Sequence, residues 1–162
     1  MSRPHHLDPR LVALVALVAI GGAAGTSARY AVSTWMAASG EWPTATFTVN
    51  IAGAFLLGAL LEALLRRGAE SARGRLVRLG LGTGVLGGFT TFSALALEIE
   101  RLLAGGSTGT ALAYAGSSLV LGFLACLLGV VVAARHHSWR HGRPVLPDAG
   151  APTAARAGER AR

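Results

Sequence analysis

Four apolar segments, each long enough to cross a bilayer, constrain this chain more than any other feature. They run over 11–36, 46–65, 76–103 and 110–134. A membrane-spanning helix needs about 20 predominantly apolar residues. The bilayer core offers no water to backbone N–H and C=O groups, so segments of this length are expected to be helical. Composition agrees. The 162 residues are 52% hydrophobic and only 14% charged, with a mean hydropathy of +0.50, whereas soluble domains carry about 25% charged residues. The expected fold class is therefore an all-α membrane protein with four transmembrane helices. Residues 1–10 form a short N-terminal segment, 11–134 the membrane domain, and 135–162 a disordered basic tail. Arg10 followed by an apolar run has the start of a signal-peptide pattern, but the apolar character continues past Gly25 and three more spans follow. The single cysteine, Cys126, lies in an apolar run, so there is no disulfide framework and the residue reads as a small hydrophobe.

The net charge of +7 comes entirely from arginine. Strong basicity also marks nucleic-acid-binding domains, but these arginines flank the spans, so no nucleic-acid partner is expected. With four crossings, the N-terminus, the loop between spans two and three, and the C-terminus share one side. That side holds thirteen of the fifteen arginines; only Arg29, late in span one, and Arg101, at the end of span three, lie elsewhere. Setting aside those beyond Arg143 leaves ten against two. The positive-inside rule places both termini in the cytoplasm of a cell or inner membrane.

The third segment carries an interruption, Gly82-Thr83-Gly84-Val85-Leu86-Gly87-Gly88-Phe89-Thr90-Thr91-Phe92-Ser93. Glycine is a poor helix residue, and a cluster of them invites the helix to open. Opened backbone at membrane depth survives only against protein or water, which makes it a candidate ion or substrate site. Thr46 and Asn50 share a face of span two at i,i+4. Asn50 reads either as interhelical glue or as a donor to a pore. Gly53 and Gly58 on that span read as close-packing positions. Tyr114 and Ser118 repeat the i,i+4 spacing on span four, where Tyr114 also suits an interfacial aromatic belt. Ser117 lies about 100° from Ser118, so only one of the two faces a shared groove. Arg29 either snorkels to the surface or draws anions into a vestibule.

No acidic residue falls at the middle of a span. Glu62 pairs with Arg66 at i,i+4, and Glu98 and Glu100 fall toward the outer end of span three. A proton-coupled or cation path puts a carboxylate near the centre. Here the central groups are amide, hydroxyl and aromatic ring edge, all presenting positive ends, which suits a small anion. The pairs His5-His6 and His136-His137 do not make a metal site, and GxGxxG-like glycines without a preceding strand carry no dinucleotide signal. With no catalytic constellation, an enzyme is not expected.

The chain resembles the Fluc/CrcB family of fluoride channels. The residues that carry the resemblance are Gly21-Gly22-Ala23-Ala24-Gly25 through Arg29-Tyr30, then Thr48-Val49-Asn50-Ile51-Ala52-Gly53 with Phe55 and Gly58. The most specific stretch is Gly87-Gly88-Phe89-Thr90-Thr91-Phe92-Ser93, and Tyr114 and Ser118 fit the fourth span. The resemblance implies an antiparallel dimer of inverted four-helix subunits with two fluoride pores. It also implies a third helix broken at its centre, where a structural, non-transported Na⁺ is held by backbone carbonyls, here those of Gly87 and Thr90. It assigns Asn50, Thr46, Phe92, Tyr114 and Ser118 to the fluoride pore, and Arg29 and Glu98 to its vestibule. The implied function is passive export of cytoplasmic fluoride. One position departs from the family pattern: a second phenylalanine, three residues after the first, is replaced by Leu95, which has no electropositive ring edge. With the one-sided arginines, this favours pairing with an oppositely inserted paralogue over self-pairing. The competing readings are a non-conducting partner or scaffold subunit and a small multidrug transporter, although the latter calls for a glutamate within span one that is not there.

Overall fold

The computed structural model describes residues 8–36 and 41–141, with side chains up to residue 136. Arg3, His5 and His6 lie outside the described residues. Helix α1 spans Pro9–Trp35; Asp8 caps it, its carboxylate accepting from the Arg10 N–H at 2.9 Å, and Pro9 takes the first helical position, where its missing N–H costs nothing. Its 27 residues rise about 40 Å, more than the hydrocarbon thickness. Helix α2 spans Thr44–Leu65 after Pro43 and stops at Arg66-Arg67-Gly68, where Gly68 turns with φ of 86°.

The third crossing runs over Ala72–Ala104 in four pieces: α3 (Ala72–Val77), a π-helical stretch (Arg78–Leu86), the turn α4 (Gly87–Phe89) and α5 (Phe92–Ala104). Helix α6 spans Thr108–His141. All four crossings are long and apolar enough to span a membrane.

Two sequence expectations are corrected. The basic tail was expected to begin at 135, but α6 continues through Arg135 to His141. This stretch contains no glycine or proline before Gly142, and arginine tolerates a helix well; the part of that tail beyond 141 lies outside the described residues. The second correction concerns the break. The glycines do not open the chain: Gly80, Gly82 and Gly84 stay helical, in the wider π form, and are buried. The backbone becomes extended at Thr90 (φ −80°, ψ 157°) and Thr91 (φ −151°, ψ 120°). β-Branched residues favour that region, and Thr91 serves as N-cap of α5, its Oγ1 accepting from the Ala94 N–H at 3.2 Å.

Packing is pairwise. Helix α1 lies along the first half of the third crossing, and α2 lies along α6. Glycine permits both approaches. A Cβ on Gly25 would collide with the Val85 carbonyl, and one on Gly58 with the Cys126 carbonyl. The expectation that Gly58 is a packing residue therefore holds, with Cys126 half-buried beside it. Few large side chains are buried within one subunit; Tyr114 and Val49 are the largest that are fully enclosed among the described residues. Most of the remaining apolar surface faces outward, as a bilayer or a partner subunit requires.

Candidate functional site

The site is built around the two extended residues of the third crossing. Asn50 meets Thr91 with both ends of its amide: Nδ2 donates to the Thr91 carbonyl at 2.9 Å, and Oδ1 accepts from the Thr91 N–H at 2.8 Å. A side chain thus replaces the helical neighbours that Thr91 has lost. Of the two roles open in the sequence, the structure displays the interhelical bond, with one amide hydrogen of Asn50 remaining.

The same bonds change the carbonyls nearby. In an unbroken α-helix the Gly87 carbonyl accepts from the Thr91 N–H and the Thr90 carbonyl from the Ala94 N–H. Here the first N–H points to Asn50 and the second to Thr91 Oγ1. The break therefore withdraws the usual donors from the two carbonyls that the resemblance implies as ligands. Neutral carbonyl oxygens are the ligand type preferred by a hard cation. Among the described residues no three His, Cys, Asp or Glu side chains gather to suit a softer metal.

Gly88 is held from α1. Its carbonyl accepts from Thr26 Oγ1 at 3.4 Å and from Arg29 Nε at 3.3 Å. Arg29 is half-buried and docked on the break, so it is not simply snorkelling away from the protein. The part played by Thr26 was missed in the sequence, although its i,i+3 spacing to Arg29 puts both on one face.

A cavity of about 350 Å³ opens beside the break. Asn50, Gly87, Thr90, Thr91, Phe92 and Leu95 contribute to its lining, and no charged residue does. Phe92 and Leu95 behave oppositely there: the Phe92 ring is 78% exposed on the subunit surface, whereas Leu95 is 8% exposed.

Nearer the arginine-poor end, Glu98 of α5 is clamped from both sides. Thr46 Oγ1 of α2 donates to Oε1 at 2.6 Å, and the Tyr114 hydroxyl of α6 donates to Oε2 at 2.6 Å. Such short bonds to a carboxylate are the stronger kind. Tyr114 is fully buried, with the Trp42 ring edge-on at a centroid distance of 5.4 Å and Phe47 at 6.3 Å. Trp42 and Phe47 carried no sequence signal, because they gain their place only through the fold. Each hydroxyl has one proton to donate, so Thr46 and Tyr114 direct theirs to Glu98 rather than to open space. Ser117 bonds back to the Tyr114 carbonyl at 3.2 Å, while the buried Ser118 Oγ has no hydrogen-bond partner. Thus Asn50, Gly87, Thr90 and Phe92 come together at the break, with Arg29 behind it on Gly88, while Thr46, Glu98 and Tyr114 form a separate cluster farther along.

A family model described as "CrcB-like protein, Camphor Resistance (CrcB)" matches residues 16–130. The chain is 42% identical over 133 residues to "Fluoride-specific ion channel FluC 2" of Leifsonia xyli subsp. xyli, covering 82% of this chain and 90% of the relative. It is 47% identical over 115 residues to "Fluoride-specific ion channel FluC" of Thermus thermophilus, covering 70% and 87%. It is 38% identical over 143 residues to "Fluoride-specific ion channel FluC 2" of Nocardia farcinica, covering 88% and 97%. The match takes in all four crossings, the Asn50-bound break and the Glu98 clamp, and on this evidence the chain belongs to the CrcB family.

Proposed function

We propose that this chain is a subunit of a fluoride-specific channel that lets fluoride leave the cytoplasm passively. The observation that carries the reading is the cavity at the break, lined by Asn50, Thr90, Thr91 and Phe92 with no charged side chain. Fluoride is small and strongly hydrated, so it exchanges water only for close N–H, O–H or positive ring-edge partners. A carboxylate in that lining would repel it. Ser118 of α6, with a buried hydroxyl lacking a partner, offers a further donor. Farther along, Thr46 and Tyr114 become donors to an anion when Glu98 releases them.

The Gly87 and Thr90 carbonyls fit a structural Na⁺, which would supply positive charge at the centre of the assembly and hold the broken backbone in place. The exposed Phe92 ring and open cavity suit an inverted dimer, in which a second subunit completes each pore wall. Leu95 makes the pore wall asymmetric, since it lines the same cavity without a ring edge. Together with the one-sided arginines, it favours an oppositely inserted paralogue as partner, with both termini of this subunit in the cytoplasm. Relatives named FluC 1 and FluC 2 are in keeping with paired genes.

The test is fluoride efflux from liposomes, read with a fluoride electrode, for the subunit alone and with its paralogue, with Na⁺ present or replaced by a bulky organic cation. Efflux is expected from the pair in Na⁺, and Phe92→Ile is expected to reduce it at least tenfold. Full efflux from the lone subunit overturns the asymmetric reading. Silence from the lone subunit and from the pair overturns the channel reading.

A further inference from the structure

The arginine-rich loop between α2 and α3 borders a second cavity, lined by none of the residues that line the one at the break. It measures about 520 Å³. Leu61, Leu64 and Leu65, from the last turns of α2, give it an apolar wall, and Arg67 and Arg73 lie on its rim. Glu70 and Arg78 also border it but engage each other, with Nε to Oε1 at 2.7 Å. The hydrogen bond from Arg78 holds the Glu70 carboxyl below its ordinary range, so this pair stays ionised and internally neutral. Arg67 and Arg73 make no ion pair among the described residues and are exposed. An apolar wall with two unpaired cations above it, at the end of membrane-spanning helices, is complementary to a molecule with an acyl chain and an anionic head.

We propose that this cavity binds an anionic phospholipid of the adjoining leaflet, with its acyl chain against the α2 leucines and its phosphate reached by Arg67 and Arg73. The site is independent of the fluoride reading and would exist in a subunit that conducts nothing.

The test uses the purified, assembled protein and native mass spectrometry of lipid adducts, with phosphatidylglycerol, phosphatidylcholine and inorganic phosphate as separate probes. Phosphatidylglycerol is expected to be retained preferentially by the wild type. Two interfacial arginines acting together correspond to roughly 30-fold in affinity. The double variant Arg67→Gln/Arg73→Gln is expected to lose most of that preference. Arg10→Gln/Arg75→Gln, with the same change of net charge away from the cavity wall, is expected to keep it. Equal losses in the two double variants reduce the effect to diffuse charge and overturn the site. Displacement of the lipid by millimolar inorganic phosphate makes it a free-anion site and overturns the lipid assignment. The wild-type comparison of the two lipids requires no variant to fold, and equal retention of both also overturns the proposal.

Discussion

Asn50 shows most clearly how one side chain can stand in for a missing turn of helix. Its amide satisfies the Thr91 N–H and C=O together, and leaving a buried polar group unpartnered costs about 1–3 kcal/mol. Asn50→Ala is accordingly expected to lower stability by roughly 1–3 kcal/mol and to remove fluoride efflux, checked by thermal unfolding in detergent and by the liposome assay. Unchanged stability would mean that the break is held by something else. The i,i+4 pairing of Thr46 with Asn50 was legible in the sequence. Their targets were not: spacing tells which residues share a face, but not which backbone or carboxylate the face meets. Glu98 illustrates the same limit. Its position near the end of the third crossing could be read directly, whereas its capture by Thr46 and Tyr114 depends on three helices converging.

At the scale of the element, the four crossings were readable in number and approximate position, because apolar length reports on bilayer thickness, while the basic end of α6 ran on to His141 beyond the apolar stretch. The internal form of the third was not readable. A segment apolar on all sides has little amphipathic phase, so nothing in its pattern separates an α-turn from the π-helical stretch at Arg78–Leu86. The glycines look like the break, yet their role is to bring α1 against this stretch. Gly25→Ala puts a methyl group into the Val85 carbonyl, a backbone atom that no rotamer change can move. It is expected to destabilise the protein by about 1–3 kcal/mol. Gly22→Ala, whose Cβ would lie 3.9 Å from the Gly84 carbonyl, is expected to be nearly neutral. Thermal unfolding of both variants checks this, and equal behaviour would remove the close approach as the cause.

For the whole molecule, the arginine distribution predicts an orientation, with both termini on the cytoplasmic side. In a Cys126→Ser background, Glu41→Cys is expected to react with a membrane-impermeant maleimide applied to whole cells, and Ala69→Cys to be protected. Equal labelling at the two positions would indicate insertion both ways round and return self-pairing as the simpler assembly. The subunit's sparse interior points the same way as its open cavity, since the residues at the break present their functional groups at a surface.

The two extended residues also divide the subunit mechanically. Helix α1 and the crossing up to Phe89 form one body, knitted together by glycine contacts and by the grip of Arg29 and Thr26 on Gly88. Helices α2, α5 and α6 form the other, pinned at Asn50 and at Glu98, and α2 also packs directly on the π-helical stretch of the first. Thr90 and Thr91 are one covalent joint between them, beside the connections from α1 to α2 and from α2 to α3. A movement of one body against the other would load the two hydrogen bonds of Asn50 together with the packing of α2 on the π-helical stretch, which gives that side chain a mechanical task beside its chemical one.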